Sequence, residues 1–294
     1  MTRHTGPLLI AFASFLWGTD ALFRYPISEA IDPTFIVFCE HLLGTILLLF
    51  WVVAKHGKQA FKLTKPAWVA AVFVGAGGSA VATALFTASF RYVNPSVAIL
   101  LQKLQPVLVV VIAYVILKER PGRQFIFWAP VALGAAIVLS FPDLKFNFTD
   151  APRRTHGVIY AATAALIWSA TTVVGKILLK RTSPSVATFW RYAFGLLTLS
   201  LLLAISHVPF SANVAVAKPV WSSLFYLAIF AGILPMAIYY SGLKKTTASV
   251  TTFVELLFPV SAVILNTVFL NMPLSVTQLA AGAVLLFAVT RISA

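Results

Sequence analysis

The sequence predicts an all-α integral membrane protein of ten transmembrane helices, built as two five-helix halves in an inverted repeat with both termini cytoplasmic. Three observations predict it. Of 294 residues, 60% are apolar and only 10% charged, and the mean hydropathy is +0.93, so charge is too scarce to cover a soluble surface. The apolar residues gather into runs close to the ~20 residues that cross ~30 Å of hydrocarbon. Residues of the first half also recur, in order, in the second.

Taken along the chain, the runs predict helices at Gly6–Phe23, Thr34–Val53, Trp68–Ser89, Pro95–Leu117 and Phe125–Phe141. Residues 1–141 thus form the first half. A polar connector follows over residues 142–155, carrying Asp143, Lys145, Asp150, Arg153 and Arg154. Residues 156–294 form the second half, with helices at His156–Leu178, Ser185–Ile205, Pro219–Ser241, Ser249–Phe269 and Ser275–Ile292. In lipid every backbone polar group must be bonded within its own segment, so runs of this length are read as helices. Arg3 before the first run resembles a signal peptide. The same stretch has a counterpart 151 residues later, where no signal can stand, and it is read as a permanent helix.

The net charge of +14 does not indicate nucleic acid, because the basic residues lie singly or in small groups between apolar runs. Their asymmetry sets topology instead. Fourteen fall on the side of the N-terminus, six on the other, and Lys103 and Arg191 fall inside helices, completing the 22. The bias places both termini in the cytoplasm, and the protein is expected in a bacterial cytoplasmic membrane. The single cysteine, Cys39, allows no intramolecular disulfide. Cys39, Glu40 and His41 are consecutive, hence about 100° apart around a helix, and cannot all face one metal ion. No metal and no cofactor is expected.

The repeat rests on paired residues. Trp17 and Trp168, Pro33 and Pro184, Phe38 and Phe189, and Gly44 and Gly195 are each 151 apart. After one two-residue insertion the offset is 153, pairing Lys65-Pro66-Ala67-Trp68 with Lys218-Pro219-Val220-Trp221, Ser96-Val97 with Ser249-Val250, and Pro106 with Pro259. An odd number of helices per half starts the second half on the opposite face. Such inverted repeats favour a secondary transporter, whose two states interconvert by exchanging the conformations of the halves. The helix order, the Trp17-Gly18 dipeptide and the proline-bearing fourth and ninth helices resemble the EamA branch of the drug/metabolite transporter superfamily. Within it the chain is similar to bacterial amino-acid exporters of the YddG type. That resemblance implies export of amino acids, aromatic and neutral ones over a broad range, by alternating access to a central cavity. The alternative reading is a proton-coupled exporter of drugs or other metabolites.

Ionisable groups at membrane depth are costly and mark functional sites or pairs. Gln102 and Glu255 each stand four residues before a helix proline, Pro106 and Pro259. Proline cannot bond the carbonyl four residues back and pushes it aside. Symmetric kinks are therefore expected, with freed carbonyls at two polar residues facing the substrate pathway; plain packing is the competing account. Lys103, about 12 Å into its helix at ~1.5 Å per residue, is expected to bind an acidic partner or a substrate carboxylate. Glu40 and Arg191 occupy equivalent positions and are a candidate inter-half charge pair, unless each snorkels to its own interface. His41 is a candidate for a coupling proton, a hydrogen-bonded core histidine being the ordinary alternative. Asp20 shares a face with Trp17 and, with Trp168 as the symmetric aromatic, suits an ammonium group; all three are also consistent with interfacial placement. Gly77, with Gly75 and Gly78, and Pro235, with Gly232, Tyr239 and Tyr240, mark the third and eighth helices as hinges or as close-packed helices.

Other classes find less support. No phosphate-binding glycine loop is present for ATP-driven transport, and no nucleophile–base spacing survives helix geometry, so no enzyme is expected. A pore is distinguished from a carrier by saturation and trans-stimulation. The partners expected are the lipid bilayer and a small-molecule substrate, with no nucleic acid; a monomer is compatible with the pattern.

Overall fold

A computed structural model describes residues 5–117, 122–141, 152–179, 181–206, 214, 220–243, 245 and 254–293. The described residues are helical apart from turns and short extended links. Among the described residues eight helices are long and apolar enough to cross a membrane: α1 Thr5–Ala30, α2 Pro33–Phe61, α3 Lys65–Ser89, α4 Pro95–Ile112, α5 Arg123–Ser140, α6 Pro152–Gly175, α7 Pro184–Ile205 and α8 Trp221–Tyr239. Two shorter apolar helices follow, α9 Leu257–Phe269 and α10 Val276–Ile292. Large apolar side chains such as Phe50, Val69, Phe127, Leu197 and Val276 stand exposed on the outer faces. In water such a coat would aggregate; in hydrocarbon it is the expected surface.

Local chemistry sets the helix starts. Asp32 accepts from the amides of Thr34 and Phe35 and Asn94 from that of Ser96, with Pro33 and Pro95 following as first helical residues. Ser183 caps α7 before Pro184 in the same way. Pro152 opens α6, so Arg153 and Arg154 are helical rather than part of the connector. Residues 142–151 of that connector lie outside the described residues, as do Lys218 and Pro219, the Ser249-Val250 match and the start predicted for the ninth helix.

The packing is reciprocal. Helix α1 lies against α8 and α9, while α6 lies against α3 and α4; α2 crosses α7, and α5 packs along α10. Two close passes define the α2–α7 crossing: Gly44 faces the Tyr192 ring, and Gly195 faces the His41 ring. The His41 and Tyr192 rings stack with centroids 4.7 Å apart.

The predicted bends take a form that the sequence does not disclose. Helix α3 is π-helical over Val74–Val81 and α8 over Leu227–Ile233, segments that begin 153 residues apart. A π turn bonds i to i+5 and leaves the neighbouring carbonyl short of its usual partner. In α3 the Gly78 carbonyl is taken by the Trp168 indole N–H at 2.7 Å and by Thr83 Oγ1 at 3.2 Å. Pro235, just past the second π segment, has no N–H to restore the regular pattern. Gly75 and Gly78 also let α3 lie close to Phe194 on α7 and Thr171 on α6. Packing and bending thus coincide there. Trp168→Phe keeps an aromatic face but removes the N–H and part of the indole, and a net loss of at least about 1 kcal/mol is expected. A detergent-solubilised protein melting a few degrees lower checks this; an unchanged melting temperature refutes it.

The fourth helix breaks where expected but without a free carbonyl. A 3₁₀ turn over Gln102–Leu104 separates Pro95–Leu101 from Gln105–Leu117. The Gln102 carbonyl, denied a bond to Pro106, accepts from the Gln105 amide instead. Glu255 behaves alike: its carbonyl accepts from the Phe258 amide at 3.1 Å. Tightening to i+3 bonds is the usual relief of such a helix defect. The expectation of freed carbonyls at the two prolines is therefore corrected. Pro259 is the third residue of α9, just past the turn at Glu255–Leu256 that follows helical Val254.

Candidate functional site

Helices α1–α4 and α6–α8, with the Glu255–Phe258 turn, surround a cavity of about 540 Å³. Trp17, Asp20, Gln102, Lys103, Trp168 and Glu255 line it, as do Glu40, His41, Arg191 and Pro106. Tyr239 stands just behind: its hydroxyl donates to the Glu255 carboxylate, and its ring lies 5.3 Å from that of Trp17. Gly77, Pro235 and Pro259 are not among the lining residues; they shape the helices that carry them. A second cavity of about 490 Å³ adjoins the first, shares Trp17, Gln102, Trp168 and Arg191, and runs along Leu178, Leu179, Ala187 and Thr188 where α6 ends and α7 begins. At the other end of the helices contacts are tight. Arg91 donates to the Ser28 and Ile31 carbonyls, and Asn94 to the Met272 carbonyl at 3.0 Å.

The charges are arranged differently from the symmetric pair expected. Glu40 binds Arg24, not Arg191. Arg24 Nη1 and Nη2 reach the Glu40 carboxylate at 2.7 and 3.1 Å, Nε and Nη2 reach Asp20 at 2.6 and 2.7 Å, and Nη1 also donates to Thr87 at 3.0 Å. All five guanidinium N–H groups are thus used. The reason is helix length: α1 runs to Ala30, placing Arg24 one turn after Asp20 inside the protein. Arg24 therefore leaves the set of loop cations in which the charge bias counts it, and Asp20 is neither interfacial nor free for an ammonium group.

Arg191 instead donates Nε to Ser79 Oγ at 2.9 Å. Ser79 belongs to the π segment of α3. Lys103 makes no ion pair with a carboxylate among the described residues; its ammonium lies 5.0 Å from the centre of the Phe258 ring. The expected acidic partner is absent at contact distance. His41 Nδ1 bonds the Val37 carbonyl at 2.8 Å, while Nε2 is buried without a hydrogen-bond partner among the described residues. Trp168 spends its indole N–H on Gly78, whereas the Trp17 N–H makes no hydrogen bond among the described residues. Gln105, Phe86, Phe258, Tyr192, Ser79 and Arg24 are site residues that sequence reasoning missed. The Asp20–Arg24 spacing of four was the one local signal available.

Among the described residues the lining carries the acidic side chains Asp20, Glu40 and Glu255 against the basic side chains Arg24, Lys103 and Arg191, three of each sign. Aromatic faces, amide side chains and balanced charge make a chamber suited to a planar polar solute without net charge.

Comparison with known proteins places the chain among transporters. The EamA-like transporter family model matches residues 4–141 and again residues 155–294. The protein named riboflavin transporter ImpX from Fusobacterium nucleatum is 31% identical over 304 residues, spanning 100% of this chain and 99% of its own. The inner membrane transporter YhbE of Escherichia coli, described as uncharacterized, is 27% identical over 64% of this chain and 59% of its own. A crystal structure 23% identical in sequence superposes with a TM-score of 0.64, covering 98% of this chain and 96% of that one; it shows the shared fold. The chain belongs to the EamA-like transporter family.

Proposed function

We propose that this transporter is an alternating-access carrier of a neutral, planar, polar heteroaromatic solute of the riboflavin class. The charge-balanced chamber walled by Trp17, Trp168, Phe86 and Phe258 carries the reading. It exceeds what one amino-acid side chain would fill, and it lies within the range of sites that enclose drug-sized ligands, roughly 300–1,000 Å³. The name of the Fusobacterium relative points the same way. Amino-acid export, which the sequence resemblance implies, is the second reading. Lys103 and Arg191, which contact no carboxylate among the described residues, stand in one lining with Glu255 and favour it, since a zwitterion needs both signs.

The architecture proposed is ten spans in two inverted halves, residues 1–141 and 156–294, joined by residues 142–155. Supporting it are the double family match, the reciprocal packing of α1 and α6, and π segments offset by the same 153 residues as the sequence repeat. With Arg24 removed, the basic residues still favour cytoplasmic termini in a bacterial inner membrane. In that orientation the second cavity leads to the cytoplasmic ends of α6 and α7, and the contacts of Arg91 and Asn94 close the outer face.

Reconstituted protein in liposomes preloaded with unlabelled riboflavin should take up labelled riboflavin with saturation and trans-stimulation. Trp17→Ala should weaken this about tenfold or more, because stacking a heteroaromatic ring on an aromatic side chain is worth ~1–3 kcal/mol, and Trp17→Phe should retain most of it. Counterflow of aromatic and neutral amino acids without riboflavin would replace the reading by the second one. Proton-driven uptake of a cationic drug alone would replace both.

A further inference from the structure

Resting on that reading, we propose that Arg191 is the residue that reads the substrate, its terminal guanidinium nitrogens taking two adjacent in-plane acceptors on one edge of the flavin ring. The two arginines of the chamber spend their N–H groups differently. Arg24 spends every N–H on Asp20, Glu40 and Thr87. Arg191 spends one, on Ser79. Its four terminal N–H groups donate to nothing among the described residues, and no carboxylate lies within salt-bridge distance. Glu40, its equivalent in the other half, is occupied by Arg24.

Arg191 is also aimed. Its side chain lines both cavities. Its Nε is latched to Ser79, which is 3% exposed and fixed in the π segment. Its carbonyl is packed against Gly75, so the backbone of α7 is held close to α3 at this residue. Latching Nε leaves the two amino groups pointing as a planar fork. A charged group this deep, about 10 Å into its helix at ~1.5 Å per residue, is costly unless water or ligand completes its hydrogen bonds.

A guanidinium fork selects by geometry where an ammonium selects by charge alone. Lys103 lies over the Phe258 ring and presents a point charge. It cannot tell one planar edge from another. The flavin edge that fits the fork carries the ring nitrogen N1 and the C2 carbonyl oxygen, both acceptors, side by side in the ring plane. Trp17 and Trp168, which line both cavities together with Arg191, offer the faces for such a ring. An amino-acid carboxylate offers the same two-acceptor geometry, and the experiment separates the two.

The test measures counterflow in liposomes with riboflavin, 1-deazariboflavin, which lacks the N1 acceptor, and 5-deazariboflavin, which keeps the edge intact. Wild type is expected to move riboflavin and 5-deazariboflavin alike and 1-deazariboflavin about tenfold or more less efficiently, the loss of one charge-assisted hydrogen bond. Arg191→Lys is expected to move riboflavin about tenfold less efficiently and to lose the discrimination against 1-deazariboflavin. Ser79→Ala, which frees Nε but keeps the cation, should reduce the discrimination in part. Flavin fluorescence quenching on the purified variants, with their melting temperatures, separates lost recognition from lost folding. Equal transport of riboflavin and 1-deazariboflavin by wild type, or undiminished discrimination by Arg191→Lys, overturns the assignment and leaves the flavin reading standing. Absence of all flavin counterflow by wild type overturns both, and amino-acid counterflow abolished in Arg191→Lys then assigns the fork to a carboxylate.

Discussion

Arg24→Gln should be the most damaging single substitution in the chain. The guanidinium is the one cation in contact with both Asp20 and Glu40 among the described residues, and the side chains of all three are 17% exposed or less. Removing one member of a buried ion cluster costs about 3–5 kcal/mol, because the remaining charges stay desolvated without a partner. Here two carboxylates are left facing each other, so the cost falls at the upper end. The purified variant should melt well below wild type and show no counterflow. Arg24→Met combined with Asp20→Asn and Glu40→Gln removes every charge of the cluster, and buried ion clusters are often replaced by neutral groups at little cost. That triple variant should recover most of the melting temperature. If it does not, the cluster holds α1, α2 and α3 together by hydrogen-bond geometry rather than by charge compensation.

The same cluster shows where sequence reasoning reached its limit. Hydropathy falls from Asp20 to Arg24, so the first helix reads as ending at Phe23, although the backbone continues to Ala30. A buried charged turn and a solvated loop have the same composition; only the partner distinguishes them, and Glu40 is contributed by another helix. Gln102 was more legible. The effect of Pro106 on the residue four positions earlier is a local steric fact, and the helix does break there. What became of the carbonyl was not legible, because relief by a 3₁₀ bond depends on how the segments above and below pack. The π segments lay further out of reach. In helices of nearly uniform apolarity no moment marks the change of period, and the glycines of α3 indicate room for a bend without naming its kind. Residues 151 apart in the sequence, Gly44 with Gly195 and, one turn earlier, His41 with Tyr192, lie at one crossing of α2 and α7.

Those four residues carry the second large effect. A Cβ on Gly44 would lie 2.5 Å from Tyr192 Cδ1 and Cε1, and a Cβ on Gly195 would lie 2.8 Å from His41 Cδ2 and 2.9 Å from Ser79 Cβ. Neither ring is free to retreat. His41 is tied to the Val37 carbonyl through Nδ1 and stacked on Tyr192, and each ring is backed by the glycine of the opposite helix. Gly44→Ala and Gly195→Ala are therefore each expected to destabilise by about 1–3 kcal/mol through overpacking. The two should then differ in function. Gly44→Ala presses on the Tyr192 ring, a lining residue outside the fork, so riboflavin should still raise its melting temperature by most of what it raises that of wild type. Gly195→Ala pushes on Ser79, the latch of Arg191, and should lose part of that ligand-induced rise. Trimming the opposing ring closes the argument: Gly44→Ala with Tyr192→Leu should be more stable than the sum of the single effects predicts, a positive coupling expected only for groups in contact. A wild-type melting temperature for Gly44→Ala would mean that α2 and α7 part there at no cost. The stacked rings would then lie beside the crossing rather than hold it.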